Sequence, residues 1–168
     1  MKIFLIGMPG SGKTTIGKLL AEKLKLPFVD LDVEIEKSEG QSINQIFEKR
    51  KENYFREVES ATLKKFCTSS ESFVMSTGGG APCFHDNMTK MNDSGKAIFL
   101  DVPAKEIADR LEKTNLIERP LFAKLSSDQL KDKIEFLRSH RIGFYRQAQF
   151  IFEGNDISTE RIISKITS

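Results

Sequence analysis

The stretch KIFLIGMPGSGKTT, Lys2 to Thr15, decides how the rest of the chain is read. Ile3 to Ile6 is an apolar run of the length of a buried strand, and beyond the glycines Ile16, Leu19, Leu20 and Leu24 recur at helical spacing. Between them Gly7-x4-Gly12-Lys13-Thr14 has the residues of a phosphate-binding loop, in the strand-before, helix-after setting such a loop requires. Glycines let backbone N–H groups turn inward on phosphate oxygens, and the following helix presents its positive end. Lys13 reaches the outer phosphates, and the Thr14 hydroxyl suits Mg²⁺. The loop alone specifies a nucleoside triphosphate.

Working outward, Pro27 ends the first helix and Phe28-Val29-Asp30 supplies a short second strand. Helices are expected over 33–39, 42–49 and 51–67, a third strand over 73–76, a short helix near 86–91 and a fourth strand over 97–100. Pro103 is placed to open a helix through residue 112. The stretch 113–125 has no clear periodicity, carries Arg119-Pro120, and reads as a loop free to move. Ser126 or Ser127 can cap a long helix to about residue 148, before a fifth strand over 150–152 and a last helix over 158–166. Strands alternating with helices predict an α/β fold: a five-stranded parallel sheet between two helical layers, as one domain spanning 1–168. Ligands of such sheets gather at the carboxyl ends of the strands.

Composition narrows the partners. Twenty-six basic residues stand against 24 acidic ones with no basic block, so the footprint of a nucleic-acid binder is lacking and a small molecule is expected. Cys67 and Cys83 have neither C-x-x-C nor Cys/His spacing and read as reduced thiols. The first apolar run is too short for a signal-peptide core and no 18-residue apolar run follows, so the expectation is a cytoplasmic protein with no membrane contact.

Several residues carry competing readings. Asp30 and Asp101 each follow a strand, where a Mg²⁺-supporting carboxylate belongs; Asp101 also suits a turn into the next helix. Asp30-Leu31-Asp32-Val33-Glu34-Ile35-Glu36 alternates strictly, which equally describes a solvated face of an extended strand. Thr77-Gly78-Gly79-Gly80 either admits a ligand against bare backbone or is a flexible turn. In the long C-terminal helix Leu130, Ile134, Leu137, Phe144 and Ala148 mark an apolar stripe on which Arg141 falls, so that cation faces a cleft or snorkels to water. Arg56, between Glu52 and Glu59, also reads as an ordinary surface ion-pair cluster. Arg119 suits closure over a transferring phosphate, or is an exposed loop arginine. His85 and His140 show no partner spacing.

Together these residues resemble the shikimate kinase family, within the nucleoside-monophosphate-kinase-like group of P-loop proteins. The resemblance runs over essentially the whole chain, through GMPGSGKTTIG (7–17), FVDLDVEIE (28–36), SINQIF (42–47), NYFREVE (53–59), STGGGA (76–81), ERPL (118–121) and HRIGFYRQA (140–148). It implies a P-loop kinase fold with a lid over about 113–125 and substrate-binding helices over about 32–67. The implied reaction moves the γ-phosphate of ATP to the 3-hydroxyl of shikimate, with Mg²⁺, in a monomer. Gly10, Ser11, Gly12, Lys13, Thr14 and Thr15 would hold the phosphates, with Thr14 on Mg²⁺ and Asp30 supporting it. Asp32 would bind the ring hydroxyls and orient the attacking one, while Arg56 and Arg141 would grip the carboxylate. Gly79 would offer backbone to the substrate, and Gly78 and Gly80 to the terminal phosphate. Arg119 would come down with the lid, and Arg110 would stack near the adenine.

The chemistry suits these positions. Phosphoryl transfer asks mainly for positioning and charge neutralisation, and a carboxylate-bearing acceptor for planar guanidinium groups that stay charged. The chain departs from the family at Lys51-Glu52, where Gly-Glu is common, and at Phe122, where a second leucine is common; Glu153-Gly154-Asn155 matches poorly. Arg141 beside Tyr145 and the Asp30/Asp32 pair favour shikimate over gluconate or a nucleoside monophosphate. A nucleotide-gated switch, the rival of another class, needs no acceptor pocket.

Overall fold

The apolar run ahead of the phosphate loop is the middle strand of a sheet. In the computed structural model, which describes residues 1–113, 122 and 125–168, β1 (Lys2–Ile6) pairs with β3 (Phe73–Ser76) on one side and β4 (Lys96–Asp101) on the other. β2 (Phe28–Asp30) and β5 (Phe150–Glu153) form the edges, every pairing is parallel, and the order is β2-β3-β1-β4-β5. The order reverses beside β1, so the carboxyl ends of β1, β2 and β3 open into one crevice where such sheets bind ligands.

Period-two alternation sends successive side chains to opposite faces. Ile3, Leu5, Val74, Ile98 and Leu100 pack under α1 (Lys13–Leu24) and α7 (Thr159–Thr167). Phe4, Ile6, Met75 and Phe99 pack under the other layer, made of α2 (Leu31–Glu39), α3 (Ile43–Thr68), α4 (Asn87–Ser94), α5 (Ala104–Glu112) and α6 (Ser127–Tyr145). The fold is the expected three-layer α/β sandwich.

Local chemistry corrects several boundaries. Residues 30–36 are not an extended strand: the Asp30 carboxylate accepts from the backbone N–H of Asp32 (3.1 Å) and Val33 (3.4 Å), and this cap starts α2 at Leu31. Ser42 with Gln45, and Ser126 with Gln129, form reciprocal caps on α3 and α6. α6 ends at Tyr145, before the expected residue 148, and its buried stripe runs through Tyr145, not Phe144. Tyr145 lies four residues beyond Arg141, whereas Phe144 is turned off the stripe and is 39% exposed.

The helices expected over 42–49 and 51–67 are both present and meet within α3 at a kink at Lys51, whose backbone is at φ 69°, ψ 174°. That conformation is essentially restricted to glycine and costs a side-chain-bearing residue about 1–3 kcal/mol. Against it stands the extra chain entropy of glycine, about 0.5–1 kcal/mol. Lys51→Gly is therefore expected to stabilise the protein by about 1 kcal/mol, read as a rise of about 2–4 °C in Tm. A fall in Tm would show that the break is unstrained.

Candidate active site

The loop after β1 turns through Gly10 (φ 84°) and Gly12 (φ 93°), left-handed backbone that a side chain would strain. Lys13 is only 7% exposed, and its ammonium donates to the carbonyls of Gly7 (2.9 Å) and Met8 (2.8 Å), which hold it across the loop. The buried Ser11 hydroxyl finds no protein hydrogen-bond partner among the described residues, as suits a loop shaped around acceptor oxygens. Thr14 and Thr15 are exposed on the wall of a large cleft, and the Thr14 hydroxyl lies 3.4 Å from that of Ser76 at the end of β3.

Asp30 lines the same cleft, which therefore offers both hydroxyl and carboxylate oxygens, the hard donor types that Mg²⁺ takes. Among the described residues no group of three or more His, Cys, Asp or Glu side chains could hold a metal. Asp101, the competitor, is engaged elsewhere: Arg138 of α6 donates to it at 2.6 Å, and it is absent from the cleft wall.

The glycine run after β3 organises the other end of the cleft. Thr77 ties it to β1 by donating N–H (3.2 Å) and hydroxyl (3.0 Å) to the carbonyl of Leu5. Each glycine then meets a different functional side chain. A Cβ placed on Gly78 would lie 3.2 Å from Asp32 Oδ1 and 3.1 Å from Glu59 Oε1; on Gly79, 3.1 Å from Arg141 Nη1; on Gly80, 2.7 Å from Arg56 Cζ. Two guanidinium groups from helices 85 positions apart in sequence thus abut consecutive residues of one turn. Arg56, Arg141, Asp32, Gly78 and Gly79 line the cleft with the phosphate loop, while Gly80 lies behind, against Arg56. The cavity measures about 1500 Å³, beyond the usual range for one small ligand and sufficient for two.

Electrostatics mark this end of the cleft. Burial, then the neighbouring Asp30 carboxylate, raises the Asp32 pKa against the pull of Lys13. Glu59 is fully buried; burial pushes it up to about 7 although Arg56 Nη1 donates to it at 2.8 Å. Its other oxygen has no hydrogen-bond partner among the described residues. Glu59 binds its proton more tightly folded than unfolded, so its contribution to stability is complete below its ordinary value of 4.5 and is lost as pH rises through about 7. Glu59→Gln is expected to flatten the fall in stability between pH 5 and 8 by at most about 3 kcal/mol. Parallel Tm–pH curves for the two proteins would contradict it.

Arg110 of α5 reaches the phosphate loop, its Nη1 3.5 Å from the carbonyl of Gly10, and is steadied by Glu106. Arg119 and most of the expected lid, 113–125, lie outside the described residues. Cys67 and Cys83 are both free, and burial holds the Cys83 thiol at about 11, unreactive near neutrality. Three contributors have roles that the sequence leaves unassigned. Glu59 looks like one more surface carboxylate; Phe84 lays its ring 4.3 Å from Arg56 Cζ; the Tyr145 hydroxyl donates to the Gly79 carbonyl at 2.5 Å. Only Tyr145, one helical turn beyond Arg141, had a visible signal.

The chain is similar to known proteins over nearly its whole length. The family described as shikimate kinase matches residues 9–168. The shikimate kinase of Bacteroides thetaiotaomicron is 42% identical over 157 residues, covering 94% of this chain and 89% of that protein. A crystal structure of shikimate kinase from Bacteroides thetaiotaomicron aligns with a TM-score of 0.88 at 40% identity, covering 99% of this chain and 94% of that one. Shikimate kinase from Acinetobacter baumannii in complex with shikimate aligns with a TM-score of 0.83 at 32% identity, covering 98% and 88%.

Proposed function

Because this chain belongs to the shikimate kinase family, of ATP-dependent kinases, we propose that it carries the γ-phosphate of ATP to the 3-hydroxyl of shikimate, giving shikimate 3-phosphate and ADP. The observation that carries the reading is the meeting of Arg56 and Arg141 at Gly80 and Gly79, in a cleft whose other end is the phosphate loop. Paired, planar, permanently charged forks suit a carboxylate.

The division of labour follows from position. Gly10, Ser11, Gly12, Thr14 and Thr15 hold the phosphates, and Lys13 neutralises charge on the transferring group. Thr14 and Asp30 hold Mg²⁺, which when bound neutralises phosphate charge. Asp32 accepts from the acceptor hydroxyl beside Gly78 and aims it; its raised pKa reflects the same dry surroundings. Gly79 offers backbone to the acceptor, Gly78 is assigned to the transferring phosphate, and Gly80, which backs Arg56, is assigned there only through that arginine. Arg110 flanks the nucleotide near Gly154 and Ile157, which line the cleft with it. Arg119, with segment 113–125 as a lid, is assigned to cover the phosphate and keep water from it.

The reading includes a monomer at work in the cytoplasm, with no nucleic-acid or membrane partner. The chain's basic and acidic residues nearly balance. No helix among the described residues is long and apolar enough to cross a membrane. A coupled ADP-release assay across shikimate, gluconate and nucleoside monophosphates tests the reading. Turnover is expected with shikimate; turnover with gluconate and none with shikimate would overturn it.

A further inference from the structure

Arg56 is fixed on most sides by groups an acceptor has no need to touch. Nη1 donates to Glu59 at 2.8 Å, the Phe84 ring lies 4.3 Å from Cζ, and the Gly80 backbone presses on the guanidinium. The edge left over carries Nε and Nη2, the two parallel donors that grip a carboxylate bidentately. That edge is taken by Glu52, whose Oε1 sits astride both nitrogens, 3.3 Å from Nε and 3.3 Å from Nη2. Glu52 stands one turn before Arg56 on α3, its side chain is 56% exposed against 10% for Arg56, and it lines the cleft.

We propose that Glu52 is a placeholder for the acceptor's carboxylate. It occupies the bidentate edge of Arg56 while the cleft has no acceptor, and it swings into solvent when a carboxylate arrives. With Glu52 half-exposed and a single oxygen engaged at 3.3 Å, its hold on the edge of Arg56 is weak and easily exchanged. An acceptor carboxylate brings two oxygens and engages Arg141 as well. A neutral acceptor offers no charge in exchange and leaves Glu52 seated, so the contact also selects for anionic acceptors. Once displaced, Glu52 remains a like charge beside the bound carboxylate, which lowers affinity further.

The inference rests on the reading of Arg56 as a carboxylate ligand, and its sign separates it from a supporting role. Glu52→Gln removes the competing charge from an exposed position, so KM for shikimate at saturating ATP is expected to fall about two- to fivefold. The rate at saturating shikimate should change by less than twofold, and a calorimetric titration of shikimate should tighten by the same factor as KM. If Glu52 merely braced Arg56, KM would rise; a raised or unchanged KM overturns the placeholder. Arg56→Lys, which keeps a charge for Glu59 but loses the fork, is measured alongside. If it leaves KM unaltered, the reading of the site itself fails. If it raises KM at least tenfold while Glu52→Gln does not lower it, only the placeholder falls.

Discussion

Arg141→Ala is expected to lower kcat/KM for shikimate about 10²–10³-fold while leaving the affinity for ATP within about twofold. Removing one partner of a desolvated, hydrogen-bonded charge pair costs about 2–5 kcal/mol, and every 1.4 kcal/mol is a factor of ten. Arg141 lies in the last turns of α6, against Gly79, where its guanidinium also meets the Tyr145 hydroxyl; Tyr145 is fully buried and keeps its own bond to the Gly79 carbonyl when that guanidinium is removed. The helix should therefore stay seated and the nucleotide end remain intact. Arg141→Lys should recover only part of the loss, because an ammonium keeps the charge but not the planar fork. Steady-state kinetics with varied shikimate and a separate nucleotide titration decide the matter. Unchanged turnover removes Arg141 from the acceptor site. A variant that binds ATP but transfers no phosphate excludes the nucleotide-gated switch, which has no use for an acceptor pocket.

What a reader of the sequence can and cannot see follows from the range of each interaction. β1 and the phosphate loop are legible because an apolar run, a glycine pattern and the helix after it are contiguous. The helix expected over 33–39 is present, but its start at Leu31 is not legible: the alternation of carboxylates also describes a strand until Asp30 is seen bonding the N–H groups of Asp32 and Val33. Asp30 and Asp101 look alike in sequence, and what separates them is Arg138, 37 positions further on, which engages Asp101. Arg56 reads as a surface ion pair because Glu52 and Glu59 sit at helical spacing on either side. Burial splits the two carboxylates, one half-exposed and one enclosed, and only packing against the glycine run does so. The break at Lys51 is legible as a boundary between helices, but its cost is visible only as a backbone angle.

Lys13→Ala is expected to reduce kcat by about 10³-fold or more, with KM for shikimate altered by less than about threefold. Transfer through a loose transition state leaves little covalent work for the protein, so the rate depends on charge held in place where it develops. Removing one preorganised donor aimed at such charge costs about 10²–10³ in kcat, and here the donor is a full cation. Its preorganisation is visible: the ammonium is anchored by two carbonyls of its own loop, at 2.9 and 2.8 Å, in a side chain only 7% exposed. A group so held undergoes little rearrangement when the phosphate moves, whereas a solvated lysine would have to be ordered first. The alanine variant leaves those two carbonyls without that donor, so a loss of about 1–3 kcal/mol in stability is expected besides. Single-turnover phosphate transfer at a temperature well below the lowered Tm separates the two effects. A rate within tenfold of wild type there would mean that the loop amides and Mg²⁺ suffice, and that Lys13 closes the loop without acting on the transferring phosphate.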